Sequence, residues 1–343
     1  SVITTCRYKS EAGESEYLGM KVFKIATNYP ASLRFYLSLY NPSAIREVSR
    51  LLKEIRPDVV HIQNVHFYLS YHSIKVAKRY AKVVVVTLRD AMSFSFGKLQ
   101  TKHYLETGDA HLTWRDHVGQ AGKRWNPFRN LMIKYYLGCA DKLFAVSAAL
   151  KLALEQNGIK DVTVMHTGVN VHDWQVSGEE SAKPIIFFSG RLSRAKGSDV
   201  VTLVMAKVQR EVPEATLFVN SEDKQWMNRE EMARAYAASR IILVPSVCFD
   251  ALPRMVIEGM AAGRPVISTP YGGAKEAIED GKTGYIVSPF EVDKMAERIV
   301  YLLKNPENAE SMGQAGRERV RQEFNIVEKV GEYLKWYRKL EKQ

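Results

Sequence analysis

A chain of 343 residues, 46% hydrophobic and 25% charged, exceeds what one core usually serves and predicts two globular domains. The net charge of +11 favours anionic partners (nucleotide phosphates, acidic lipid headgroups or nucleic acid) without choosing among them. No apolar run nears the ~20 residues of a membrane span, no signal peptide is visible, and Cys6, Cys139 and Cys248 lack metal-ligand spacing, as for reduced thiols in a cytosolic protein.

The chain has no initiator Met and reads at once as a strand, Val2–Thr5, the pattern expected of a fragment or a processed chain. Further strands are predicted at Lys21–Ala26, Asp58–Ile62, Lys82–Leu88, Lys142–Val146 and Val162–Met165. A second series follows at Ile185–Ser189, Thr216–Val219, Ile241–Pro245, Pro265–Ser268 and Gly284–Val287. Val and Ile dominate these runs, and several are nearly continuous, as for strands buried on both faces of a parallel sheet. Helical patterns lie between. Ser43 is placed to cap one that puts Ile45, Val48, Leu52 and Ile55 on one face and stops at Pro57; another spans 147–158 with Gly158 as its stop. This alternation implies α/β architecture, two Rossmann-like doubly wound domains facing a cleft.

The division falls in the polar stretch HTGVNVHDWQVSGEESAKP. It predicts a first domain over 1–168, a linker over 169–184, a second domain over 185–325, and a helix over 326–343 that reaches back to the first. Ligands of such sheets bind at the carboxyl ends of the strands.

Two segments carry chemistry. In IIFFSGRLSRAKGSDVV a strand ends at Ser189, Gly190 permits a tight turn, Arg191 and Lys196 put cations in the loop, and Gly197 leads into a helix. Strand end, basic loop and helix N-terminus suit a phosphate; spacing alone leaves an exposed basic loop equally open. In FDALPRMVIEGMAAGRPVIST a strand–loop–helix unit places Asp250 in the loop, Pro253 in the first helical turn and Glu258 within the helix. A buried carboxylate needs donors, and a ribose diol supplies two. An Arg254–Glu258 pair at i,i+4 is the plainer alternative.

GRLSRAKG at 190–197 resembles the phosphate-binding segment of retaining GT-B glycosyltransferases of the GT4 type, and DALPRMVIE at 250–258 resembles their E-x7-E motif. The resemblance runs over nearly the whole chain and is strongest over 185–290. It implies an enzyme that moves a sugar, hexosyl in type, from a UDP- or GDP-sugar to a polysaccharide or lipid-linked acceptor. Arg191 and Lys196 would hold the diphosphate with Gly190, Gly197 and the backbone of Leu252, Pro253 and Arg254. Glu258 would hold the ribose, and Asp250 would lie beside the donor sugar. No D-x-D pair occurs, so Arg and Lys would replace a metal, and no cofactor is implied. It further implies that a first strand and Gly-rich loop are missing before Val2, which would leave this piece inactive or weakly active.

Several features depart from the family. Asp250 replaces a Glu, Pro253 a Gly, and Arg89 stands before Asp90 where many relatives have a cleft His. Arg89 and Asp90, with His166, are candidate acceptor or cleft residues; Arg89 either binds an anion or pairs with Asp90. Segment 98–134 holds seven cations, three acids, Trp114 and Trp125. It is either a contact for an anionic membrane surface at the cytoplasmic face or a solvated helical face. The rivals are a GT-B-like binding protein without transfer and, more distantly, a nucleic-acid-binding α/β protein, although no recognised nucleic-acid module is present.

Overall fold

The computed structural model describes residues 1–175, 184–221 and 226–343. Part of the predicted linker, 176–183, lies outside the described residues, as do 222–225. In the first half, β1 (Val2–Cys6), β2 (Gly13–Tyr17) and β3 (Met20–Ala26) form one sheet in the order β1-β3-β2. The strands β4 (Val59–Gln63), β5 (Val83–Leu88), β6 (Lys142–Ala145) and β7 (Val162–Val164) form a second sheet, parallel throughout. In the second half, β8 (Ile185–Ser189), β9 (Thr216–Asn220), β10 (Ile241–Val244), β11 (Val266–Ser268) and β12 (Gly284–Ile286) form a parallel sheet in the order β12-β11-β10-β8-β9.

Continuous apolar strands are buried on both faces because successive side chains alternate. Val84 and Val86 of β5 enter the main core, while Val83 and Val85 pack with Phe144 under Tyr333, Trp336 and Tyr337 of the last helix, Ile326–Leu340. Likewise Ile242 and Val244 face the main core, and Ile241 and Leu243 face the helices Ser198–Glu211 and Val292–Lys304. The last helix is further tied to the first half by Tyr337 to His61 at 2.6 Å and Tyr333 to Thr87 at 3.1 Å.

Two sequence readings are corrected and one strand is added. The first long helix runs Pro42–Ile55 and is preceded by Asn41, so Ser43 is not its cap. Pro42 takes the first helical position because its fixed φ suits it and its missing N–H is not needed there. Pro253 precedes the helix Arg254–Ala261 rather than sitting in its first turn. β2, wholly exposed GESEY, has no apolar signal; it pairs antiparallel with β3 through the positive-φ turn Leu18–Gly19. In the first half, β1 and β4 each end a sheet, and an apolar cavity of about 490 Å³ lies between them, walled by Val2, Ile3, Val59, Val60 and Leu52.

Candidate functional site

Both chemistry-bearing segments leave carboxyl ends of parallel strands, β8 at Ser189 and β10 at Val244. Glycine lets their loops touch. Gly197 has φ +80°, and a Cβ there would stand 2.1 Å from the Pro245 carbonyl oxygen. The Val247 amide also donates to the Ala195 carbonyl at 3.0 Å. The contact sets Lys196 against Asp250 as an ion pair, and the Ser246 hydroxyl donates to the same carboxylate at 3.3 Å. Burial opposes the Lys196 charge, but the Asp250 carboxylate outweighs it, so the ammonium holds its proton above the usual lysine range.

The helix Arg254–Ala261 has no side-chain cap, and Leu252, Pro253, Arg254 and Met255 at its start line a cavity. Glu258 lies one turn in, buried at 7% exposure, and accepts from Arg254 Nη2 at 2.9 Å and the Tyr236 hydroxyl at 3.1 Å. Burial and then the Glu258 charge push the Tyr236 phenol well above its ordinary pKa. The plainer i,i+4 pair is therefore formed, with Tyr236 as an additional donor that sequence spacing does not show.

The cavity, about 340 Å³, lies between the halves. Asn64, Arg89, Val146 and Thr167 line it from the first half; Ser189, Lys196, Ser246, Asp250 and Leu252–Met255 contribute from the second. Among the described residues, Arg89, Lys196 and Arg254 line it with one carboxylate, Asp250. Among the described residues, the Arg89 guanidinium reaches neutral acceptors, Gln63 Oε1 at 2.9 Å and Thr167 Oγ1 at 3.3 Å, while its own amide donates to Asn64 Oδ1 at 3.2 Å. Burial first, and Arg254 across the cleft next, lower its pKa from the ordinary arginine value. A cavity with excess positive charge and a helix start at its wall suits a polyanion.

The remaining candidates lie around this cavity. Arg191 is exposed and close enough to Lys196 to oppose its charge, but does not line the cavity. The Gly190 amide is taken by the Asn220 carbonyl at 3.0 Å. Asp90 accepts from Asn64 Nδ2 at 3.1 Å and the Met92 amide at 2.9 Å, with His66 Nε2 at 3.6 Å; its carboxylate is not the partner of the Arg89 guanidinium. His166 lines a separate cavity of about 220 Å³ beside Arg89 and the last helix, and it bonds Glu276 at 2.9 Å. Glu276 comes from the second half and accepts from the Ala148 and Ala149 amides, both at 2.8 Å, at the start of the first-half helix Ala148–Gln156. Burial opposes its charge, but His166 and the two amides prevail and hold its pKa below the glutamate value.

Asn64, Val146, Thr167, Ser189, Ser246 and Met255 were not singled out from sequence. The available signal was position: Asn64 and Val146 are the residues immediately after β4 and β6, just as Arg89 follows β5. Asn64 also has φ +46°, a left-handed conformation that turns the chain off its strand.

Comparison with known proteins gives this geometry a family. The family model described as Glycosyltransferase Family 4 matches residues 2–173, half of the chain, and that described as Glycosyl transferases group 1 matches 220–319. Spore coat protein SA of Bacillus subtilis is 30% identical over 185 residues, 46% of this chain and 49% of that protein. Glycogen synthase of Mycobacterium tuberculosis is 23% identical over 79% of this chain and 66% of its own length. The chain spans about half the length of spore coat protein SA, 49%, and 43% of trehalose synthase of Pyrococcus horikoshii, another such relative. Among solved structures, sucrose-phosphate synthase of Thermosynechococcus elongatus superposes with a TM-score of 0.73 at 19% identity, covering 99% of this chain and 88% of that one. Anabaena HepE, solved in complex with UDP-glucose, gives 0.60 at 17% identity over 84% of this chain and 81% of its own. The fold is thus GT-B, and with half its length matched by that family's model the chain belongs to Glycosyltransferase Family 4.

Proposed function

We propose that this chain is the nucleotide-sugar-handling part of a retaining, metal-independent glycosyltransferase, hexosyl in type, that transfers from a UDP- or GDP-sugar to a glycan or lipid-linked glycan. The observation that carries the reading is the interdomain cavity in which Arg89, Lys196 and Arg254 outnumber Asp250 beside the start of the helix Arg254–Ala261. The UDP-glucose bound to HepE supports a nucleotide-diphosphate sugar as the donor class.

In this reading the bond from the sugar's anomeric carbon to the distal phosphate oxygen breaks, and its electron pair stays on the phosphate. The acceptor hydroxyl oxygen forms the new bond on the same face, and its proton passes to the departing diphosphate. Negative charge grows on the diphosphate through the transition state. Lys196, aided by Arg191 at the rim, stabilises it, together with the backbone dipoles at Leu252–Arg254. Glu258 receives the ribose hydroxyls, exchanging Arg254 for them, and Asp250 lies beside the sugar ring. Arg89 on the opposite wall meets the diphosphate or an anionic acceptor.

The test is calorimetric binding of UDP and GDP, followed by donor hydrolysis over a panel of their sugars, on the chain and its variants. Lys196→Ala is expected to weaken nucleoside-diphosphate binding and turnover by about 100-fold, and Arg191→Ala by a smaller factor, with the fold intact by circular dichroism. Unchanged binding in Lys196→Ala would remove the assigned role. A second reading has one observation in its favour. Asp250 and Glu258 are already paired with Lys196 and Arg254, as suits a binding protein without transfer; nucleotide binding with no hydrolysis of any donor sugar supports that reading instead.

A further inference from the structure

The first half carries a second surface that the cavity does not use. Segments 28–46, 64–82 and 117–140 contain no Asp or Glu. They meet on one side of the molecule. The Tyr36 hydroxyl donates to the Trp125 carbonyl at 3.2 Å, Lys75 Nζ to the Tyr135 hydroxyl at 2.7 Å, and the Arg34 guanidinium lies 3.8 Å from the Phe67 ring centre.

At the centre is a helix with its polarity reversed. The helix Arg129–Leu137 buries Arg129, at 1% exposure, with Ile133, Tyr136 and Leu137. Its outward side, continued by the preceding residue, presents Phe128, Leu131 and Tyr135 at 68%, 67% and 51% exposure. The spacing of three and four aligns these side chains in one stripe. A helix apolar on both sides is ordinarily covered on both. Lys75 bonds Tyr135 of the stripe, Lys134 lies on the same helix and Lys123 and Arg124 in the turn before it, and among the described residues none of the four has a carboxylate at salt-bridge distance.

Lysine is depleted at protein–protein contacts, whereas aromatic side chains flanked by Lys and Arg, without acids, match the headgroup layer of an anionic bilayer. Among the described residues no helix is long and apolar enough to cross a membrane, so the contact is peripheral. We propose that this face docks on an anionic lipid surface, with Phe128, Leu131 and Tyr135 entering the headgroup layer and the four cations resting on its phosphates. Phe67 on this face is three residues along the chain from Asn64 in the cavity wall. The docking itself does not depend on sugar transfer.

The experiment is co-sedimentation of the chain with phosphatidylcholine vesicles, with and without about 30% phosphatidylglycerol, at low and at about 0.5 M salt. Binding is expected to be about tenfold tighter with the anionic lipid and to fall towards the neutral-lipid value at high salt. The double substitution Phe128→Ser with Leu131→Ser lowers it by about tenfold without moving the thermal midpoint, and Lys123→Ala with Arg124→Ala removes most of the preference for anionic lipid. Three results overturn the proposal: absent or lipid-independent binding of the unaltered chain; undiminished binding of both variants; or a vesicle-free dimer that the apolar variant abolishes, which assigns the face to a second copy. Loss of vesicle binding with nucleotide binding intact leaves the transferase reading standing, and the converse separates them equally.

Discussion

On the second-half wall of the cleft, the cavity-facing cations come with carboxylates: Lys196 holds Asp250 and Arg254 holds Glu258. On the first-half wall, among the described residues the Arg89 side chain donates to the neutral Gln63 and Thr167, and burial first and Arg254 opposite next lower its pKa from the ordinary arginine value. An arriving anion therefore meets the two walls differently. It must exchange carboxylates for itself on one wall, whereas on the other it relieves a charge that is already under-compensated. A half-buried cation whose side-chain partners are neutral is more costly to hold than a paired one, so the two walls differ in what an anion would offset.

The comparison breaks most completely at Gly197. Its left-handed φ of +80° and the 2.1 Å approach of an added Cβ to the Pro245 oxygen leave no room for a side chain. Gly197→Ala is expected to part the two loops and destabilise the chain by about 2–4 kcal/mol. Urea unfolding checks the stability, and the raised Lys196 pKa, read by NMR of its ammonium, should relax as Asp250 withdraws. A variant of native stability with Lys196 unmoved would show that the contact between loops does not set the pair.

A smaller effect sharpens the difference between the walls. Arg89→Gln removes the under-compensated cation and leaves a side chain able to hydrogen-bond Thr167. Nucleoside-diphosphate affinity is expected to fall by about tenfold, with a shallower dependence on salt, while the Lys196–Asp250 and Arg254–Glu258 pairs persist. Affinity unchanged at low salt would place Arg89 outside the anion's reach.

The same contrast explains what was legible in the sequence. The second-half wall is read along the chain, because a strand end, a basic loop, a glycine and a helix start follow one another within 185–201, and a strand end, a loop carrying Asp250 and a helix start do so within 241–258. The parallel strands were equally plain, since burial on both faces writes itself as unbroken Val and Ile. The first-half wall is assembled from the ends of β4, β5 and β6 and from Thr167, one residue apiece. Only their place just after a strand marks Asn64 and Val146. β2 stayed hidden for a different reason: a strand with no buried residue has no hydrophobic period. The helix Arg129–Leu137 defeats amphipathic reading because its apolar residues occupy both sides.

Glu276 tests the link between the walls with the mildest expected effect. It crosses from the second half to cap the helix Ala148–Gln156 and to hold His166, so it acts on the spacing of the cleft without touching the cavity. Its folded pKa lies below the unstructured value of 4.5, so the native state holds the ionised form more firmly than the unfolded chain does. Stability from this source is complete above pH 4.5 and is lost as the pH falls through the folded pKa. Glu276→Gln keeps an acceptor but loses the charge; it is expected to cost about 1 kcal/mol at neutral pH. The loss should shrink on acidification, because below its folded pKa the native glutamic acid resembles the amide. Urea midpoints of both proteins at about pH 7 and about pH 3.5 measure this convergence. A difference that stays constant across that range would mean the cap acts through shape alone and the carboxylate charge contributes nothing to holding the walls together.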